Sequence, residues 1–478
     1  MRAAAELEEA LAASPAVRAA REALAGREDV WIVGGAVRDA LVGRPVTDLD
    51  VAVRGDPEGA ARTVARAANS HPFELSGEFA MWRVQAREQP WHLDVAKLRG
   101  ESIEADLAAR DFTIDAIALP LAGGDPIDPH GGAADAESGV LRTVGERSFE
   151  DDPLRILRAA RIAAALGLGI DPATVALARR CARRADEPAG ERQFAELRAI
   201  LTGPDPIAGL RLLDELGATP VVLPELEALR GVEQNPYHHL DVHGHTLEVL
   251  EQVVALEADP GDALGETAPE VEALLAEPLA DELTRAEGLR FAALFHDLGK
   301  PETRRIADDG RILFIGHDEA GARIIDGICE RLRVSRRLTS YLESLTLNHL
   351  RLGFLVHERP LSRRRVYDYI VATEPETVDV TMLTVADRLA TQGPRLRSEA
   401  IDAHLDLARE MTVEALAWRR SGPPDPLVRG DELAAELGIE TGPELGRMLA
   451  EIAAARFAGE VGSREDAVAL ARQMLSVE

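Results

Sequence analysis

The chain has 478 residues, 46% of them hydrophobic, enough for two to four domains with sizeable buried cores. Its two cysteines, Cys181 and Cys329, stand in unrelated contexts without C-x-x-C spacing, which argues against a disulfide framework or a thiolate zinc site and fits a reducing cytoplasm. A formal net charge of -29 argues against a general nucleic-acid binder, because neutralising phosphates needs positive charge, so any RNA contact must use a concentrated basic surface.

Residues 1–27 mix charge into helical periodicity and predict an N-terminal helix, with neither the apolar core of a secretory signal nor an apolar span of about 18 residues. No membrane partner is expected. Val30 to Val33 is a short apolar run that stops at Gly34-Gly35, a strand entering a glycine turn, and a helix follows from Val37. Further strands are predicted at Leu49 to Val53, Met81 to Ala86 and His92 to Leu98, with a helix at Pro57 to Asn69. This alternation predicts an α/β head over residues 28–142.

From Asp152 to about Gly231 the pattern turns helical, broken at Gly167 to Asp171, Glu187 to Gly190, Gly203 to Pro206 and Gly217 to Pro220, which predicts an all-α neck over 143–230. Residues 231–400 also read as helical but hold eight of the twelve histidines, marking a separate unit. Within it, 257–287 is rich in Asp, Glu, Pro and Gly and reads as an acidic surface insertion. Residues 401–478 form a helical tail with a loop at Ser421 to Pro426, and no repeat of fixed period is present.

The stretch VGGAVRDALVGRPVTDLD holds Gly34, Gly35, Arg38, Asp39, Asp48 and Asp50. Glycines after a strand let backbone approach a phosphate, and the following helix start favours an anion. Aspartates at i and i+2 on a strand share a face, where they can hold one or two Mg²⁺ ions that align a triphosphate and offset developing charge. Singly, a glycine pair is usually a turn and D-x-D a solvated face. In this order and spacing they resemble the head of class II tRNA nucleotidyltransferases and bacterial poly(A) polymerases, members of the DNA polymerase beta superfamily, whose signature is GGxVRD followed by DxD. The resemblance implies a mixed sheet with flanking helices, catalytic and Mg²⁺-binding roles for Asp48 and Asp50, and triphosphate contacts from Gly35 and Arg38. Asp94, on a later strand, is either a third carboxylate beside the metals or a structural acid.

ARDFTIDA, residues 109–116, is similar to the family's RRDFTINA, which places Arg110 against the incoming nucleotide; Ala109 and Asp115 depart from the pattern. IDPHGG, Ile127 to Gly132, resembles the family loop between head and neck and also reads as a plain connector. In FEDDPLRILRAARIAAALG, Asp152 and Pro153 suit the N-cap and first position of a helix that carries Arg155, Arg158 and Arg161. These could be a surface stripe paired to acids. Alternatively, an aspartate accepting from cytosine N4 or adenine N6 while an arginine donates to the adjacent ring nitrogen would admit C and A and reject G and U. The family motif EDxxR falls on Asp151, Asp152 and Arg155, which implies base selection by Asp152 and Arg155 with Arg158 and Arg161 nearer the phosphates. Glu191, Arg192 and Glu196 resemble a bracing neck motif. Arg179, Arg180, Arg183 and Arg184 could meet the tRNA acceptor stem or simply be solvated.

His245 in HGHTLEVL, His296-Asp297 in ALFHDLGKPET, His317 in GHDEAGA, His349 in NHLRL and Asp387 in VADRLA lie on successive predicted helices. Imidazoles and carboxylates so arranged can bind a divalent transition metal and polarise a water. The order resembles the HD phosphohydrolase superfamily, which implies His245, His296, Asp297 and Asp387 as core ligands, His317 and His349 as a possible second set, and phosphate contact by Lys300. Such a unit is a phosphodiesterase or phosphatase, or a tRNA-binding scaffold. The expectation is therefore an enzyme adding C and/or A from CTP and ATP to the tRNA 3′ end without a template, releasing pyrophosphate. CC-only, A-only or poly(A) synthesis share the same motifs, and HD phosphohydrolysis as the main activity is the alternative from another class.

Overall fold

The computed structural model describes residues 4–76, 80–87, 91–395 and 397–477. The remaining positions of the expected N-terminal helix, head, HD unit and tail lie outside the described residues. The chain folds as two compact units, residues 1–222 and 223–478.

In the first unit a six-stranded mixed sheet is built from β1 (Val30–Val33), β2 (Asp48–Val53), β3 (Pro72–Ser76), β4 (Met81–Gln85), β5 (His92–Lys97) and β6 (Ala118–Pro120), in the order β3-β4-β5-β2-β1-β6. Only β2 and β5 pair in parallel; the other neighbours are antiparallel. Leu49, Val51, Leu93 and Val95 are buried with Val37, Ala40, Ala61 and Val64 from flanking helices and Leu11 and Val17 from the N-terminal helices. Each apolar position here is one residue in two on a strand or recurs at helical spacing, so period alone selects the buried face.

β3 and β6 escape the sequence reading. β3 exposes Phe73 and Leu75 at the sheet edge, so its apolar residues do not mark a core face. β6 is three residues long and ends in Pro120 at the opposite edge, where a missing N–H is tolerated.

The neck centres on the helix Arg155–Leu166, which buries Ile156, Leu157, Ala159, Ala160, Ile162 and Ala163 and ends at Gly167 in the left-handed region. A Cβ at Gly209 would lie 2.5 Å from Ile200 Cγ2, so where the helices Pro206–Glu215 and Gly190–Leu201 meet, any larger residue would force the Ile200 side chain to shift. The helix begins later than expected. Asp152 and Pro153 precede it, Leu154 holds the cap position, and the Asp152 carboxylate accepts from Leu154 N at 3.1 Å, forming a turn between Ser148–Asp151 and the long helix.

The second unit is helical apart from two short hairpins. Residues 257–287 are more than a solvated acidic insertion. They form helices that bury Val271, Leu274 and Leu275, a hairpin, and a Thr284–Glu287 capping box at the start of Arg285–Phe295. Three of their acids are matched as well: Glu257 pairs with Arg290 at 2.6 Å, Glu270 with Arg420 at 2.6 Å and Glu277 with Arg419 at 2.6 Å. The final helices enclose their own cluster of Leu433, Leu445, Met448, Ile452 and Val468. Among the described residues, no helix is long and apolar enough to cross a membrane.

Candidate active site and candidate metal centre

β2 alternates exposed Asp48, buried Leu49 and exposed Asp50. In register beside them on β5 stand His92 and Asp94. His92 Nδ1 lies 2.8 Å from Asp48 Oδ1, and Arg83 clasps Asp94 with two bonds of 2.7 Å. Asp94 thus shares the face of Asp50 but is held by an arginine. Although Asp50 keeps an exposed edge, the protein packed around its carboxylate displaces part of its water and Asp94 repels it, which together push it up to about 6. This concentration of acid is where a cation would relieve strain.

The turn before the helix Gly35–Val42 comes to the same place. Gly34 has φ +68, and a Cβ on it would sit 3.0 Å from Arg110 Nη1 and 3.4 Å from Asp50 Oδ2. A Gly34→Ala variant should therefore lose about 1–2 kcal/mol of stability through left-handed strain alone, read from urea unfolding midpoints. Gly35 adjoins Arg38, whose guanidinium would be 3.3 Å from its Cβ. Arg38 binds Asp115 at 2.8 Å and Asp39 at 2.9 Å, so the two residues expected to act separately form one buried pair that offsets the charge Asp115 introduces. Arg110 is fixed by two 3.0 Å contacts to Asp106, an i, i+4 pairing legible from spacing alone.

The neck arginines divide. Arg155 donates to the carbonyl of Ala109 at 2.9 Å and to Ser148 Oγ at 3.0 Å. Arg158 pairs with Asp111 at 2.9 Å, and Arg161 with Glu196 at 2.6 Å. Burial opposes ionisation of Asp111, but Arg158 and Arg155 hold its carboxyl below the ordinary range. The Asp152 carboxylate accepts from Arg192 at 2.9 Å and makes no side-chain bond to the Arg155 guanidinium, so the expected Asp-Arg couple is two side chains presented separately. Both nonetheless line one open cavity of about 830 Å³ with Arg99, Arg110, Arg158 and Arg192, whereas Arg161 does not. Asp111 and Ser148, the fixed points of this cleft, carry no sequence spacing that would have exposed them. Glu196 and Arg192 act as braces through these bonds.

In the second unit His296, at the end of Arg285–Phe295, neighbours Asp297, His245 lies on Val242–Ala258, His317 starts His317–Arg331, and His349 ends Arg336–Asn348. Two groups of ligand atoms, each within 4.8 Å, share Asp297: one with His245 and His296, the other with His317 and His349. Asp387 stands 3.0 Å from His245 Nε2. Lys300 Nζ is 2.6 Å from Asp297 and 2.7 Å from Gln234 Oε1.

The hydrogen-bond pattern suits a metal. Nδ1 of His296, His317 and His349 faces the carbonyls of Ala293, Phe314 and Thr346 at 2.8, 2.7 and 2.6 Å. Each Nδ1 therefore carries the proton and each Nε2 offers a lone pair to the centre. His317 and His349 bring those Nε2 atoms to 3.2 Å, a repulsive arrangement that a cation between them would turn favourable. His245 Nε2, His296 Nε2 and Asp297 Oδ2 are buried and turned toward one another, Asp297 Oδ2 lying 3.1 Å from His296 Nε2 and 3.8 Å from His245 Nε2. Burial disfavours the charged form of His349 and its neighbours His296 and His317 add repulsion, bringing it down to about 4, as a metal-ligating imidazole requires. These are candidate metal-binding groups whose chemistry fits a divalent ion.

Three family models match in succession: the poly A polymerase head domain over residues 30–142, the probable RNA and SrmB-binding site of polymerase A over 167–229, and the HD domain over 242–392. An A-adding tRNA nucleotidyltransferase of Deinococcus radiodurans is 36% identical over 92% of this chain and 94% of its own. A CC-adding tRNA nucleotidyltransferase of Thermus thermophilus is 35% identical over 92% of each. The Thermotoga maritima CCA-adding enzyme, solved with tRNA, shares the fold at a TM-score of 0.60 and 20% identity over 98% of both chains. The chain belongs to the tRNA nucleotidyltransferase family, as a nucleotidyltransferase head and neck followed by an HD domain.

Proposed function

We propose that this protein adds C, A or both from CTP and ATP to the 3′ end of tRNA in the cytoplasm, without a nucleic-acid template and with release of pyrophosphate. The observation that carries the reading is the convergence of the Asp48–Asp50 face, the Gly34-Gly35 turn and Arg110 at one place on the sheet. Asp48 and Asp50 would hold Mg²⁺, which when bound aligns the triphosphate and offsets charge at the α-phosphate. The Gly35 backbone and Arg110 position the triphosphate, while Arg38 keeps the turn in place through Asp115 and Asp39. Asp152 and Arg155, on the wall of the arginine-lined cleft, present an acceptor and a donor to the base, and Arg158 fixes that wall through Asp111. Arg161 supports it through Glu196.

Incubating the protein with tRNA lacking the last three, two or one nucleotides, with CTP, ATP or both, tests the proposal and separates complete from CC-only and A-only addition. Extension of none of the acceptors overturns it. Asp152→Ala removes the acceptor for the exocyclic amine. It should lower use of CTP and ATP by about 10–100-fold and narrow their margin over UTP and GTP, in single-nucleotide incorporation with each triphosphate.

The two ligand groups around Asp297 favour a second, separate activity, metal-dependent hydrolysis of a phosphate ester. His245, His296, Asp297 and Asp387, with His317 and His349 as a second set, would hold a divalent transition ion, which when bound supplies an activated water.

A further inference from the structure

Beside the candidate metal centre, the helices Thr377–Ala390 and Ser398–Ser421 border a cavity of about 150 Å³ lined by His349, Thr384, Asp387, Arg388, Thr391 and His404. The threonine hydroxyls are already used. Thr384 donates to backbone carbonyls of Val380 and His349, and Thr391 to that of Asp387. Two polar atoms are left over: Arg388 Nε and His404 Nε2 are buried and have no hydrogen-bond partner among the described residues. His404 as a residue is only 5% exposed. A buried polar atom left unmet costs about 1–3 kcal/mol, so two on residues that line one small cavity next to metal ligands call for a partner supplied from outside.

Size and charge narrow what that partner is. Pockets for whole nucleotides or drug-sized ligands run to roughly 300 Å³ and above, so this one suits a single tetrahedral group. The guanidinium of Arg388 brings positive charge. Burial, reinforced by Arg388, brings His404 down to about 4, so it is neutral rather than a second cation, and its Nε2–H tautomer supplies a donor to an anion. We propose that Arg388 and His404 form a phosphate subsite of the HD centre, holding the non-reacting oxygens of a phosphate group beside His349 and Asp387. His404 lies beyond the residues matched by the HD model, which end at 392, so the subsite recruits the following helix. Asp387 lines the same cavity and repels an anion, so phosphate enters when a divalent ion is present and not after chelation.

The test uses the full chain as purified with its metal, the same protein after EDTA, and the variants Arg388→Met and His404→Leu, each titrated calorimetrically with inorganic phosphate. The expected result is metal-dependent binding weakened at least about ten-fold in each variant at unchanged metal content. Equal affinity in wild type and both variants overturns the subsite. In wild-type protein carrying ¹⁵N-histidine, phosphate must also move the His404 ring resonances, and their constancy overturns it without reliance on any variant. A 3′-phosphorylated dinucleotide that competes with phosphate identifies an RNA terminus as the source of the group, and failure to compete identifies free phosphate. A failed phosphate titration leaves nucleotide addition at the head untouched, so the two proposals fall separately.

Discussion

Asp50→Asn is expected to abolish nucleotide addition, by about 1,000-fold or more, while leaving the fold as stable as before or slightly more so. The loss follows from removing one of two charges proposed to hold Mg²⁺ against the triphosphate, where preorganised electrostatics carries most of the rate. The stability follows from the sheet: Asp50 is desolvated and set beside Asp94, which raises its pKa to about 6. Keeping it ionised at neutral pH therefore works against the metal-free fold, and asparagine relieves that opposition. Single-turnover extension of truncated tRNA and thermal unfolding in EDTA read the two effects. A variant that is less stable yet active would overturn the assignment of Asp50 as a metal-binding carboxylate.

Asp297→Asn is expected to empty the HD centre. Asp297 belongs to both ligand groups, so a single change removes the shared ligand from each, and affinity should fall beyond the roughly 10–100-fold typical of losing an outer partner. It also leaves the Lys300 ammonium, 2.6 Å away and buried, without its carboxylate. Breaking a buried pair from one side costs about 3–5 kcal/mol, so unfolding should shift to markedly lower denaturant. Metal content of protein purified without chelators and urea titration measure these outcomes. Retention of stoichiometric metal would show that Asp297 is no ligand. Nucleotide addition should persist at temperatures where the variant stays folded.

What the sequence revealed of this arrangement depended on periodicity and local spacing. β2, β4 and β5 announce themselves because alternate apolar residues enter a core, β1 because it is an unbroken apolar run ending at a glycine pair, and the helices because theirs recur every three or four. β3 and β6 obey neither rule, being an exposed edge and a three-residue edge ending in proline. Asp48, Asp50, His296 and Asp297 stand out as candidates because they sit on adjacent or alternate residues. The partners that decide how the arginines are used do not. Arg155 is anchored on the carbonyls of Ala109 and Arg110, Arg158 on Asp111, and Asp152 on Arg192, pairings that span tens of residues and exist only once the helices pack. The backbone carbonyls that set the tautomers of His296, His317 and His349 are local by contrast, each three residues before its histidine.

The chain has only two lysines, and they live in different worlds. Lys97 is exposed at the end of β5, whereas Lys300 is sealed in at 7% exposure between Asp297 and Gln234. An acylating reagent should consequently mark the Lys97 side chain in the folded protein and spare Lys300. That offers one lysine on the head for dyes or crosslinkers, and makes late acylation of Lys300, followed by peptide mass, a clock for how often the histidine cluster opens.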